Sequence, residues 1–319
     1  MRVISLLVVL SLSWLLQPPT SSHAPRNAAE FDELFQKVSN WGRWGKDDQL
    51  GAVNLVTAEK RKQAAALVKT GQTVSLAHNP LTERAEDNNN PFEHTMLRGN
   101  NMDRYAVSYH GYAHSHIDAL CHFLYKEQTY NGFARADVNT DKGCVKLGID
   151  NLKNGIVTRG VLIDIPRLRG VEYLEPGTAI YAEEVEAWEK KAGVKIGSGD
   201  AILLRTGRWA RRAKVGPWNV AQSAAGFHAS IASWIKARNV AIVGSDVGED
   251  VTPSQVDGVA LPVHTLLITG MGINLLDNHD LEAVSETASR LNRWDFMITI
   301  APVPVTGGTG FPVNTIATF

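Results

Sequence analysis

The chain has 319 residues, 44% hydrophobic and 20% charged, with a formal net charge of −1. That balance excludes a strongly basic nucleic-acid binder and a low-hydropathy disordered chain. The length allows a sizeable core, as one large domain or two small ones.

Met1 and Arg2 form a thin basic start, followed by an apolar run (VISLLVVLSLSWLL, 3–16) and a polar, proline-bearing segment (QPPTSSHA, 17–24). This is the layout of a secretory signal peptide, and the apolar run is short for a transmembrane helix. Residues 1–24 are therefore set apart from the fold, and the folded domain is expected over 25–319. The mature protein is expected to be secreted or periplasmic, without membrane contact after processing.

Residues 27–41 place Phe31, Leu34, Phe35 and Val38 on one helical face. A second helix is expected over 57–71, with Thr57 as N-cap and Gly71 closing it. Residues 72–78 read as a strand, 79–101 (centred on EDNNNP) as a loop, and 104–110 as a strand running into a cluster of histidines. Apolar runs of buried-strand type follow at 155–165, 200–207 and 239–246. Helical patterns occupy 182–193 and 225–239. Residues 264–274 (HTLLITGMGIN) and 296–303 (FMITIAPV) read as further strands, separated by a helix over 280–292. Alternating strands and helices make the class α/β. The turn-rich tail, 302–319, is expected as extended chain.

The chemistry concentrates in HGYAHSHIDALCHF, 110–123. His110, Tyr112, His114, His116, Asp118 and His122 share one parity, and alternate residues of a strand point to one face. Imidazoles and a carboxylate on one buried face are costly unless something compensates them. A divalent cation does so, and this donor set suits zinc, manganese or iron(II). Cys121 and Cys144 are permitted to pair outside the cytosol. The position of Cys121 inside the histidine stretch favours a small buried thiol instead.

HSHIDALCH (114–122) resembles the signature H-x-G-T-H-x-D-x-P-x-H of the metal-dependent cyclase family, which includes bacterial kynurenine formamidase and isatin hydrolase. His116 falls on the second histidine, Asp118 on the aspartate and His122 on the last histidine. Tyr112 stands at the first histidine, His114 at the glycine and Leu120 at the proline. The resemblance implies that His116 and Asp118 bind metal and that His122 accepts and donates the proton. The missing first ligand is expected from His114, or alternatively from His110. The family draws its other ligands, a histidine and an acidic residue, from far downstream, where His264 and Asp277 fit. Residues 40–54 are similar to the family's N-terminal aromatic loop, which puts Trp44 beside the substrate, and Tyr112 is expected there too. Arg205 and Asp246, at strand ends, are left between a site role and a structural one.

The resemblance further implies a single domain with a mixed, barrel-like central β-sheet surrounded by helices, assembled as a homo-oligomer. One or two zinc or manganese ions per chain are expected, and no nucleic-acid partner. The implied activity is hydrolysis of an amide, lactam or ester bond of a small molecule, within the class acting on carbon–nitrogen bonds other than peptide bonds. Metal-activated water would be the nucleophile, with His122 as general base and then acid. The alternative reading is a secreted metal- or small-ligand-binding protein of the same fold, without turnover. Such a protein needs the ligands but not the base.

Overall fold

The computed structural model describes residues 24–319. Residues 1–23 lie outside it, and with them the expected leader. Its centre is a nine-stranded mixed sheet. The strands run in the spatial order Thr73–Ser75, Ile316–Thr318, Asp295–Ile300, Ile156–Asp164, Ala201–Arg205, Ile242–Ser245, Asn274–Asp277, His116–Asp118 and Gly310–Pro312. The four strands from Ile156–Asp164 to Asn274–Asp277 are parallel neighbours. Ala201–Arg205, Ile242–Ser245 and Asn274–Asp277 are buried along their whole length. Burial on both faces explains why they read as continuous apolar runs. The flanking strands are antiparallel.

The sheet curls into a half-barrel. Gly310–Pro312 and Ile316–Thr318 sit near opposite ends of the strand order, although only Val313, Asn314 and Thr315 separate them. Crossing that gap, Val313 N donates to Ser115 O at 3.2 Å and Leu76 N to Thr315 O at 2.8 Å. Helices Ala28–Val38, Ala182–Ala192, Ile231–Arg238 and Glu282–Leu291 turn their buried residues to the sheet and its loops. One contiguous apolar core joins them, with a small satellite of Val220, Ala224 and Val247. No helix among the described residues is long and apolar enough to cross a membrane.

Several expectations hold. Thr57 caps the second helix by accepting from Lys60 N at 3.2 Å, although that helix ends at Ala65. The tail does run as extended chain and supplies two strands. Others fail. Within the expected loop, Glu93–Met96 pairs with Asp103–Ala106 as a hairpin. HTLLITGMGIN is not a strand. Pro262–His264 is helical, Thr265–Met271 continues as a π-helix, and the strand begins only at Asn274. Leu266–Met271 is buried all round, and an apolar run of that kind has no periodicity to separate helix from strand. Cys121 and Cys144 form a disulfide, against the buried-thiol expectation.

Candidate metal centre

The histidine stretch is not one extended strand. Residues 110–114 form a turn, and the strand covers only His116–Asp118. Parity therefore holds for His116 and Asp118, with Ile117 pointing into the apolar core between them. Nε2 of His116 lies 3.3 Å from Oδ1 of Asp118. Its Nδ1–H donates to the His114 carbonyl at 2.8 Å, which leaves the Nε2 lone pair facing the carboxylates. The turn brings His110 back over the strand, so that its Nδ1 lies 3.1 Å from Asp118 Oδ1. His122 follows the strand, with Nε2 3.9 Å from Asp118 Oδ2.

His114 corrects the sequence reading. Because the turn breaks the alternation, its ring swings away and its Nε2–H donates to Asn90 O at 3.1 Å. His110, the alternative, is the residue delivered to Asp118.

The second half of the cluster comes from the far side of the sheet. Strand register sets Asp277 directly opposite His116, and Asp277 Oδ2 lies 3.9 Å from His116 Nε2. His264, at the start of the π-helix, presents Nε2 at 3.4 Å to the same oxygen. Its orientation is fixed by Asp250, whose Oδ2 accepts from His264 Nδ1 at 2.6 Å and from His264 N at 3.0 Å. Glu249 is completely buried beside them, its Oε2 3.7 Å from His264 Nε2. The donor atoms of His110, His116 and Asp118 lie within 4.8 Å of one another, and so do those of Asp118, His264 and Asp277. Asp118 belongs to both groups.

The electrostatics of the cluster favour added positive charge. None of the buried carboxylates of Asp118, Asp277 and Glu249 pairs with Lys or Arg among the described residues; histidines are their ionic neighbours. Oδ1 of Asp118, Oδ1 of Asp277, both oxygens of Glu249 and Nδ1 of His110 are buried without an aligned hydrogen bond. Burial and the neighbouring Asp277 charge push Glu249 well above the usual carboxylate range. Although burial opposes it, Asp277 and Asp250 hold His264 well above its ordinary value. Burial likewise opposes Asp118, but His122, His110 and His116 hold it well below its ordinary value. Protons are thus drawn to places where positive charge is needed, and nitrogen and oxygen donors converging on those places fit a divalent cation. His122 differs: burial pushes it down to about 4, so its imidazole is neutral at neutral pH.

Around this cluster, the Phe123 ring stands 4.9 Å from the His264 ring and 5.2 Å from the His122 ring. Tyr112 flanks His264 and Asp277 across Gly248, where an added Cβ would lie 3.6 Å from Tyr112 Cε1 and 3.3 Å from His264 Cε1. A cavity of about 120 Å³ shares His110 and Tyr112 with the cluster. Trp44 packs half-buried against the main core, beneath the Arg43 guanidinium. The turn itself is clamped: Arg208, completely buried, donates to the Tyr112 carbonyl and to Asn278 Oδ1, while Asn278 Nδ2 donates to Gly111 O at 2.7 Å. Arg205 and Asp246 are structural. Arg205 pairs with Asp164 and Glu282, and Asp246 accepts from the backbone of Thr206, Gly207 and Arg208. Glu249, Asp250 and Phe123 were missed by the sequence reading. The acidic pair closing VGSDVGED, just past a buried strand, was the available signal for the first two.

A curled mixed sheet that carries imidazoles and carboxylates from both of its halves to one buried point defines the cyclase class of α/β protein. The chain belongs to the Cyclase family, whose model matches residues 44–249. A solved structure described as a novel cyclase is 30% identical, with a TM-score of 0.80, covering 89% of this chain and 99% of that one. Isatin hydrolase A from Ralstonia solanacearum shares the fold at 20% identity and a TM-score of 0.52, covering 77% of this chain and 91% of that one. An isatin hydrolase bound to the product analogue thioisatinate shares it at 17% identity and a TM-score of 0.53, covering 80% and 94%. No curated protein matches the chain.

Proposed function

We propose that the protein is a metal-dependent hydrolase that cleaves an amide, lactam or ester bond of a small molecule. The observation that carries this reading is the pairing of a cation-demanding cluster with a neutral, half-exposed imidazole: His122 Nε2 stands 3.9 Å from Asp118 Oδ2. His116, Asp118, His264 and Asp277, with His110 in place of His114, would hold one or two ions of zinc or manganese. A divalent cation bound there supplies Lewis acidity, acidifying water and polarising a carbonyl. His122 accepts the proton from the attacking water and returns it to the leaving amine or alkoxide. Asp250 keeps His264 in the tautomer that presents Nε2. Phe123 and Tyr112, each flanking His264, would contact an apolar substrate body. The isatin hydrolases of the same fold make lactams a first substrate class to screen. The Cys121–Cys144 bridge supports action in an oxidising compartment.

The test is metal content per chain on residues 25–319, wild type beside His116→Ala, followed by turnover of amides, lactams and esters. Bound zinc or manganese that is lost in the variant, together with metal-dependent turnover, supports the reading. Bound metal without turnover on any of these, and ligand binding indifferent to His122→Ala, would favour the binding protein. Absence of metal uptake in wild type would sink the hydrolase reading.

A further inference from the structure

Glu249 lies outside the ligands that the family resemblance implies, and the proposed reaction does not use it. It is completely buried, and neither carboxylate oxygen has a hydrogen-bond partner. Its Oε2 lies 3.7 Å from Nε2 of His264. With Nδ1–H donated to Asp250, Nε2 offers its lone pair once the ring gives up its second proton, as metal binding requires. Asp277 Oδ2 faces the same nitrogen at 3.4 Å. Acceptors converging in a dry pocket stay together around a cation or a shared proton. Gly248 keeps the space between them open, since a Cβ there would stand 3.8 Å from Asp277 Oδ2.

We infer that Glu249 is a metal-binding donor, grouped with His264 and Asp277, and that the cluster therefore has unequal ends. One end is rich in nitrogen, with His110 and His116 beside Asp118. The other is rich in oxygen, with two carboxylates beside His264. The first suits zinc and the second suits manganese or magnesium. This inference rests on the metal-centre reading above.

The experiment is calorimetric titration of chelator-stripped protein with manganese and, separately, zinc, using wild type, Glu249→Gln and Glu249→Ala. The isosteric Gln variant guards against loss of fold in the Ala variant. Manganese affinity is expected to fall about 10- to 100-fold in both variants, with a smaller change for the tightest zinc equivalent. The manganese-induced rise in melting temperature is expected to shrink in parallel. A folded Glu249→Gln protein that binds manganese as tightly as wild type overturns the inference and leaves a shared proton as the occupant. Failure of the metal centre itself looks different: wild type would then take up neither ion.

Discussion

The imidazole of His110 lies flat on that of His122, with ring centroids 3.7 Å apart and planes 9° from parallel. Two stacked imidazoles repel when both are charged. Burial keeps the His122 ring neutral at neutral pH, so the two rings stack without that repulsion. The stack thus joins the Asp118 side of the cluster to His122.

The pH dependence of activity follows. A base works unprotonated, so rate rises as pH climbs through the pKa of His122, which burial pushes down to about 4. Activity should hold from neutral pH to mildly acidic conditions and fall as pH approaches about 4. His122→Ala should reduce kcat by about 10²–10⁴ with metal content unchanged. A pH–rate series with parallel elemental analysis measures both, and loss of metal from His122→Ala would reassign that residue as a ligand.

Asp250 controls the aim of His264 through two hydrogen bonds and also accepts from Val263 N at 2.7 Å. Asp250→Asn should weaken metal affinity by about 10- to 100-fold without touching a ligand. Competition against a chelator reads this directly, and unchanged affinity would show that the helix alone positions the ring.

His279 predicts a pH effect on stability. It is completely buried between the Asp277 carbonyl and Thr315 Oγ1, and burial lowers it from 6.5 to about 4. The unfolded chain takes up a proton below about 6.5 that the folded chain refuses until about 4. Stability is therefore full above 6.5 and is lost as pH falls across that window, by about 3 kcal/mol in all. Denaturant unfolding of wild type and His279→Gln between pH 4 and pH 7 should show a flatter dependence in the variant. Parallel curves would remove His279 as the cause.

The Cys121–Cys144 bridge closes a sequence separation of 23 residues directly beside His122. Closing such a loop stabilises the fold by about 3 kcal/mol through the unfolded state. The double variant Cys121→Ala/Cys144→Ala should lose that stability and, because Cys121 adjoins the base, lose rate as well. A double variant with wild-type kcat would confine the bridge to a structural role.

Much of this was legible in the sequence. The parallel strands announced themselves as apolar runs because burial on both faces leaves no alternation, and Thr57 announced a helix start. The same uniformity hid the π-helix at Thr265–Met271, where apolar residues surround every face. At the metal centre, His116 and Asp118 obey strand parity. His110 lies beside Asp118 and His114 turns away because a turn intervenes, and local spacing does not encode where a turn aims its side chains. Glu249 and Asp250 belong to the cluster only through tertiary packing. Cys121 and Cys144 carried too little local information to be paired.

The strands that close the half-barrel around His116–Asp118 lie far from it along the chain. His116–Asp118 has Asn274–Asp277 on one side and Gly310–Pro312 on the other. During synthesis the histidine stretch leaves the ribosome early, yet its second flanking strand follows almost two hundred residues later. Until then the backbone of His116–Asp118 is an unpaired edge, and the carboxylates around it are not held dry. Drying of the Asp118 carboxylate therefore depends on residues 310–312 reaching the strand they close.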